Sequence, residues 1–211
     1  MTKGKLVIQV PDEIIRNKHV KFDSNTFALY TYLKYLQFRN YGSKELELNH
    51  NHIKHKLYMS DNRTLKKCLF ALHQNGAVME LINKLPTKGN LKLTFDPDAI
   101  QTETFTQLPA TVINKIEHIG TTGMRLMFYY ESFINRTDDI SKQYAFPALE
   151  TISLHTGLNK ETIVRYNDIL KKHKLIKITK HKLEWNGEYD TLDQALITKY
   201  NNHYFVNIDK L

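Results

Sequence analysis

Cysteine is nearly absent from this sequence, since Cys68 is the single thiol in 211 residues and the chain cannot form an internal disulfide. So little cysteine is typical of proteins from reducing compartments. Long apolar runs are also absent, because none approaches the roughly 18 to 20 residues that span a bilayer. The apolar stretch before Pro11 is only five residues long and precedes no small-residue cleavage site, which does not fit a signal peptide. These absences predict a cytoplasmic protein with no membrane partner.

Residue patterns of common catalytic sites are missing too: there is no Gly-rich phosphate loop, Ser/His/Asp series or pair of catalytic acids. The stretch "HNHIKH" at 50–55 is a candidate metal site. On a helix His52 and His55 share a face while His50 points away, and no Cys or carboxylate has the spacing to complete a tetrahedral site. The stretch also resembles the paired-histidine motif of nicking replication enzymes, except that Asn51 stands where that motif is apolar. We therefore predict a non-enzymatic protein with no metal and no cofactor.

What the chain does have is basic charge, unevenly distributed. The net charge is +8; residues 1–100 carry 16 Lys/Arg and 9 Asp/Glu, whereas residues 101–211 carry 14 and 13. Eight basic residues of the second half cluster within 160–182, against Glu161 and Asp168. Such clustering is typical of a surface that binds a polyanion, and equally of a solvated lysine-rich face. Charge alone leaves both interpretations open.

Periodicity and turn residues predict a first domain at 1–100 with an α+β, helix-rich composition. Its predicted elements are a strand or ordered arm at 5–10, a helix capped by Ser24 and ending near Arg39, a short strand and a second helix within 46–58, a third helix capped by Ser60 and ended by Asn75-Gly76, and a β-hairpin of 77–85 with 91–95. The boundary follows, because prolines and a Thr/Gln run around 102–109 interrupt the periodicity.

A linker with a short helix is predicted at 101–121, and a second domain at 122–211 repeats the order of the first. The predicted elements are the linker helix at 110–119, a helix at 123–136, a second helix at 147–156 opened by Pro147, a third helix capped by Asn159, a strand from 175 to 185, and a returning strand at 203–208. The repeat period is about 98 residues, which is typical of a duplicated small domain.

The stretch 146–178, "FPALETISLHTGLNKETIVRYNDILKKHKLIKI", carries a family resemblance. It resembles the helix-turn-helix module of plasmid and phage replication and regulatory proteins. The matching positions are Pro147, Leu149, Ile152, Thr156-Gly157-Leu158-Asn159, Thr162-Ile163, Leu170 and Leu175-Ile176. It departs from the pattern at Lys174, commonly Gly in the family, and at Tyr166, often smaller. The first copy, 48–81, is looser, and Tyr58 replaces its turn glycine.

The resemblance implies two tandem winged helix-turn-helix domains, each of three helices plus a β-hairpin wing, that bind double-stranded DNA. Third helices of such modules enter the major groove, and wings contact phosphates. Helical spacing places Arg63 and Asn62 where they can read guanine and adenine, with Lys66 and Lys67 as phosphate contacts. The full set of candidate DNA-binding residues is Asn62, Arg63, Lys66, Lys67, Gln74, Lys84, Lys88, Lys160, Arg165, Lys172, Lys177 and Lys180.

Two functional hypotheses follow. The first is a replication initiator or transcriptional regulator of plasmid or phage type, with the replication or transcription machinery as its further partner. The second is a protein-interaction adaptor, such as a primosome or partition scaffold, favoured by an outward Phe70 and by the acids Glu161 and Asp168 on the second recognition face. Two different modules suit a monomer on an asymmetric site, while a homodimer contact through 110–119 or 5–10 stays open.

Overall fold

The computed structural model describes residues 6–136, 139, 142–180, 184–189, 195–198 and 201–211. These residues form a helix-rich α+β fold in which the sheets contain two strands each, and this confirms the predicted fold class at that level. Among the described helices, none combines the length and apolar character needed to cross a membrane.

The described elements are helices and short strands in mixed order. In the first part they are β1 (Val7–Pro11), α1 (Asp12–Ile15), α2 (Ser24–Arg39), β2 (Glu45–Leu48), α3 (His50–Lys56), α4 (Asn62–Gln74), β3 (Leu91–Thr94), a 3₁₀ turn (Pro97–Ala99) and β4 (Phe105–Pro109). They continue with α5 (Val112–Glu131), α6 (Leu149–Thr156), α7 (Lys160–Lys172), β5 (Ile176–Thr179), β6 (Glu184–Tyr189), β7 (Ala195–Thr198), β8 (His203–Val206) and a 3₁₀ turn (Ile208–Lys210).

The sheet of the first half differs from the predicted hairpin. Strand β3 pairs antiparallel with β2, so that Leu46 lies opposite Leu93, and the expected strand at 77–85 contributes only a single bridge from Val78 to Phe95. Pro86 follows this segment and has no N–H to donate to a ladder. The prediction of a regular 77–85 and 91–95 hairpin was therefore wrong, although the loop between them still projects from the sheet.

Two helix caps were each predicted one residue away from their actual positions, α2 one residue late and α4 one residue early. The carboxylate of Asp23, not the hydroxyl of Ser24, caps α2 by accepting from the Thr26 N–H at 2.8 Å. Asp61, not Ser60, caps α4 through the Thr64 N–H at 2.7 Å. A carboxylate both accepts the free N–H and favours the positive end of the helix dipole. The other predicted cap is confirmed, since Asn159 accepts from the Thr162 N–H.

Helix α2 is the centre of the first half and also its contact with the second. Residues 26–33 of this helix are all buried, because α4 packs on one side and α5 on another. The Phe27 and Phe128 rings meet edge to face with centroids 5.6 Å apart. Beside them the guanidinium of Arg125 is fully buried and donates to the Phe22 carbonyl, and burial lowers its pKa to about 10.

Helix α5 runs through the predicted linker. Strand β1 pairs antiparallel with β4, with Ile8 opposite Leu108, and α5 follows directly. The expected helices at 110–119 and 123–136 correspond to the two parts of α5, which meet at Gly120, where the backbone (φ 65°, ψ 172°) is not helical. It ends at Glu131, because Arg136 turns back and its guanidinium donates to the buried carboxylate of Glu131.

In the second half, α6 and α7 pack beside α5 and lead into a small sheet. Strands β5 and β8 pair antiparallel, with Ile178 opposite Tyr204, as predicted for a strand returning beside 175–185. Ala145 adds a bridge on the other side of Tyr204. Helix α6 begins at Leu149 with Ala148 as its cap, so Pro147 lies before the helix instead of opening it. Proline here keeps the preceding chain extended.

Left-handed residues occur at matching turns of the two halves. Gly157 (φ 70°) ends α6, and Tyr58 (φ 53°) takes the same conformation after α3. Gly76 (φ 74°) follows α4, and Lys174 (φ 58°) follows α7. Two of the departures from that pattern, Tyr58 and Lys174, therefore occupy the backbone conformation that glycine adopts at least cost.

Replacing Lys174 by glycine should stabilise the protein. A side chain in the left-handed region costs about 1 to 2 kcal/mol relative to its preferred conformations, and glycine removes most of that cost. We expect Lys174→Gly to raise the free energy of unfolding by about 1 kcal/mol in urea denaturation. The control is Lys172→Gly in the helical last turn of α7, which should lower it by a similar amount. A loss of stability in Lys174→Gly would contradict the assigned conformation.

Acidification should weaken the contact between α5 and α6. The Tyr129 hydroxyl lies 2.9 Å from Nδ1 of His155, and burial, with Arg16 and Lys18 nearby, lowers the pKa of His155 below its usual 6.5. The unfolded chain therefore binds this proton first, so stability is lost as pH falls from 6.5 through the folded pKa. His155→Gln should lose less stability than the wild type between pH 7.5 and pH 5. The assignment is refuted if chemical denaturation shows that the variant and the wild type lose the same free energy of unfolding between these two pH values.

Candidate nucleic-acid interface

Helix α4 presents a polar face to solvent and an apolar face to the core. Leu65, Leu69 and Leu72 are buried, as predicted from helical spacing. The opposite face is exposed at Asn62, Arg63, Lys67, Phe70 and Gln74, with Lys66 partly covered beside it. All five predicted contact residues of this helix are thus accessible on one side of the molecule.

Lys67 differs from the other cations of this face because a carboxylate lies beside it. Its Nζ lies 3.2 Å from the carboxylate of Asp23, which also caps α2. Burial raises the pKa of Asp23, but hydrogen bonds from Thr26 and Lys67 outweigh it and hold that pKa below its ordinary value. No local pattern predicts this pair, because the two residues are 44 positions apart.

Arg63 and Lys66 remain open cations on this face. Within the described part of the chain, neither lies within 4.0 Å of a carboxylate. Arg63 is nevertheless close enough to Asp61 to contribute, after the hydrogen bonds from Thr64, to lowering the pKa of that carboxyl. Arg63 therefore sits in the first turn of α4 beside its capping acid, with the guanidinium fork directed to solvent rather than into an ion pair.

The loop that follows α4 carries the predicted phosphate contacts of the first half. Lys84 and Lys88 are exposed in the loop between the Val78 bridge and β3. Asn90 at its end donates to the Glu47 carboxylate at 3.3 Å, which attaches the loop to β2. The two lysines thus lie on a loop that is attached to the β2–β3 sheet.

Helix α7 has a similar buried face but a more neutralised surface. Ile163 and Leu170 are buried as predicted, while Glu161, Arg165 and Asp168 are exposed. Lys160 pairs with Glu150 of α6 at 2.6 Å, which lowers the pKa of that carboxyl.

Two other cations of α7 also contact neighbouring side chains of the protein. Lys171 pairs with Asp168 at 2.9 Å within the helix. The Arg165 guanidinium lies 5.2 Å from the centre of the half-buried Tyr166 ring, which packs against Gly120. Lys172, in the last turn, is exposed. The second recognition face therefore offers fewer open cations than the first.

Two of the lysines predicted for the second wing lie on β5 or directly after it. Lys177 alternates with the buried Ile176 on β5 and is exposed, as expected, and Lys180 is exposed just beyond the strand. Lys182, which the alternation placed beside Lys180, lies outside the described residues. Strands β6 and β7 pair antiparallel with each other in a separate two-stranded sheet.

Sequence reasoning missed three side chains near these surfaces. Val164 is exposed on α7, where an apolar group can contact a thymine methyl. Asn167 is buried, and its Oδ1 accepts from the Tyr130 hydroxyl at 2.7 Å, fixing α7 on α5. Asp23 restrains Lys67. Val164 could have been found from the helical wheel, but the two polar contacts depend on tertiary packing.

The histidine-rich stretch forms α3. His50 is buried, whereas His52 and His55 are exposed, in keeping with the expected separation of His50 from the other two. In the ranges that the structure describes, no group of three His, Cys, Asp or Glu side chains is arranged to hold a metal ion.

Comparison with known proteins adds no assignment. No protein-family model matches the chain, and no curated protein shows significant similarity to it. The chemistry of the exposed faces of α4 and α7 is therefore the basis for the function proposed below.

Proposed function

We propose that the chain is a non-enzymatic protein that binds double-stranded DNA through two winged helix-turn-helix modules. The observation that carries the proposal is the exposed face of α4, on which Arg63 and Lys66 are open cations flanked by Asn62 and Gln74. A fork-shaped guanidinium and amide groups on one helix face are the side chains that read base edges in the major groove.

The order of elements supports the modular interpretation. In each half a helix is followed by a bridge or strand, two helices joined by a tight left-handed turn, and a second strand. The third helices, α4 and α7, each begin at a side-chain cap and each expose one face. That arrangement is the one in which a recognition helix and a wing contact DNA together.

The two modules have unequal roles in this proposal. Helix α4 supplies sequence-reading contacts, because its cations are less neutralised. Helix α7 has Glu161 and Asp168 on its face and holds Lys160 and Lys171 in ion pairs, so it contributes weaker contacts through Arg165, Lys172 and Val164. Lys84, Lys88, Lys177 and Lys180 contact phosphates, which add affinity without sequence preference.

Packing of α2 on α5 favours an asymmetric DNA site. Because Phe27 and Phe128 are in direct contact across these helices, the two recognition helices belong to one packed body. A monomer with two unlike modules suits an asymmetric or directly repeated sequence rather than a palindrome. Replication initiation and transcriptional regulation, in a plasmid or phage setting, both fit this mode of binding.

A protein-interaction adaptor is the second candidate function. Phe70 is 47% exposed in the middle of the α4 face, where an aromatic side chain suits a protein partner better than a groove floor. The acids on α7 favour the same alternative.

Binding to random-sequence duplex across a salt series separates the two candidates. We expect the affinity to fall steeply as salt rises, since each neutralised phosphate contributes a slope of about −0.9 in log K against log salt. Fluorescence anisotropy with a labelled 30-bp duplex measures this. Absence of binding at low salt, or a flat salt dependence, would rule out the DNA proposal and favour the adaptor.

Substitutions on α4 and on the wing should have different consequences. Arg63→Ala should relax sequence preference at one position and cost about 1 to 3 kcal/mol on the selected site. Lys88→Ala should weaken all sequences alike and reduce the salt slope by about 1. Selection from a random duplex pool, followed by anisotropy on the selected and scrambled sites, makes the comparison. Equal losses from both variants on both duplexes would contradict these roles.

Removing the carboxylate that holds Lys67 should strengthen duplex binding. Asp23→Asn keeps a good N-cap for α2 and frees Lys67 for a phosphate, so the salt slope should become steeper by about 0.9. The matched control is Asp96→Asn, which makes the same change in net charge but frees Lys44, at the start of β2, from a 2.9 Å ion pair. The same change in slope for both variants would argue for a general charge effect.

A further inference from the structure

The face of the small sheet in the second half that points away from the core carries four rings, of which one is exposed and three are half-buried. Residues 144–146 lie beside β8 through the Ala145 to Tyr204 bridge, and β8 pairs with β5. Side chains alternate along each segment. Ala145, Tyr204 and Val206 are buried in the core, so their neighbours face the other way. We call these neighbours the aromatic face: Tyr144, Phe146, His203 and Phe205.

The rings of the aromatic face contact one another. Tyr144 stacks on His203 with centroids 3.9 Å apart and planes 16° apart. Phe205 lies 5.5 Å from Tyr144, and Phe146 lies 6.2 Å from it on the other side. Phe146 is 60% exposed, so its ring is accessible from solvent. Contiguous exposed apolar groups, unlike scattered single ones, mark interaction sites.

Cations surround this face. The Nζ of Lys177, opposite Phe205 on β5, lies 5.9 Å from the centre of the Phe205 ring. A groove of about 870 Å³ runs along the adjoining strand ends, and its charged lining residues are Arg136, Lys171, Lys174, Lys177 and Asp209. Arg136 and Lys171 already hold Glu131 and Asp168, which leaves Lys174 and Lys177 as open cations within the described residues.

We propose that the aromatic face binds single-stranded DNA, with unpaired bases stacked on its rings and phosphates held by Lys174 and Lys177. Aromatic rings on an open sheet face, next to positive charge, form the stacking platform that proteins use for unpaired bases. Duplex DNA cannot use such a platform, because its bases already stack on their neighbours. The choice of DNA over RNA rests on the proposed function, since an opened duplex supplies the strand.

Stacking has a signature that charge alone lacks. We expect the full-length chain to bind a labelled dT15 in fluorescence anisotropy, and to bind a 15-residue abasic oligonucleotide with the same number of phosphates about tenfold more weakly. Phe146→Ala and Phe146→Leu should each weaken dT15 binding about tenfold, since leucine keeps the apolar volume but not the ring. Phe146 is exposed, so both variants should keep the wild-type unfolding transition.

The matched control is Leu154→Ala. Leu154 is 80% exposed on α6, outside the aromatic face, and its loss should leave dT15 binding unchanged. Lys177→Gln should weaken dT15 and the abasic strand alike. All variants are also tested on duplex, where the Phe146 variants should bind like the wild type. A chain that binds dT15 but no duplex would retain this inference and lose the proposed function.

Four results would overturn the inference. These are no binding of dT15 at low salt, equal affinity for dT15 and the abasic strand, unchanged dT15 binding in both Phe146 variants, and tighter binding of U15 RNA than of dT15. A concentration-dependent dimer that Phe146→Ala abolishes, without dT15 binding, would instead make the aromatic face a contact between copies of the chain.

Discussion

The packing of α2 against α5 is the constraint on which the rest of the structure depends. Helix α2 is buried along most of its circumference because α4 covers one side and α5 another, and the edge-to-face contact of Phe27 with Phe128 lies at their crossing. The buried guanidinium of Arg125 is tied to the Phe22 carbonyl at the same place. Each half alone would have only a small hydrophobic core. Packed together, the halves share one larger core, and a larger core buries a greater fraction of the chain's surface. The spacing of α4 and α7 follows from this contact.

The positions of the carboxylates determine which surfaces of this protein carry unpaired positive charge. The chain is basic overall, yet Asp23 holds Lys67, Glu150 holds Lys160 and Asp168 holds Lys171. Exposed pairs of this kind add little to stability. In each pair, however, a phosphate would have to compete with the carboxylate for the cation. Open cations among the described residues include Arg63 and Lys66 on α4, and Lys174 and Lys177 beside the aromatic face. The proposed duplex and single-strand surfaces therefore lie on different elements and share one residue, Lys177.

Much of the secondary structure could be predicted because local patterns encode it. Apolar spacing identified the buried faces of α4 and α7, and Asn159 and Asn75-Gly76 marked a helix start and a helix end. The errors occurred where neighbouring residues offered equivalent caps, as at Ser24 and Asp23, and where strand pairing depends on distant sequence, as at 77–85. The break expected at Gly120 is present, since its backbone (φ 65°, ψ 172°) interrupts the helical conformation within α5.

The sequence by itself determined the helix-rich class, the repeated order of elements and the exposure of most candidate contact residues, since periodicity and capping act over a few residues. Tertiary structure alone decided which cations are paired, how α2 packs on α5, and that Tyr144, Phe146, His203 and Phe205 form one surface. The physical reason is the same in each case. The ion pair of Asp23 with Lys67 and the sheet face of Tyr144 and His203 join residues tens of positions apart, and no local pattern records which distant partners the chain brings together.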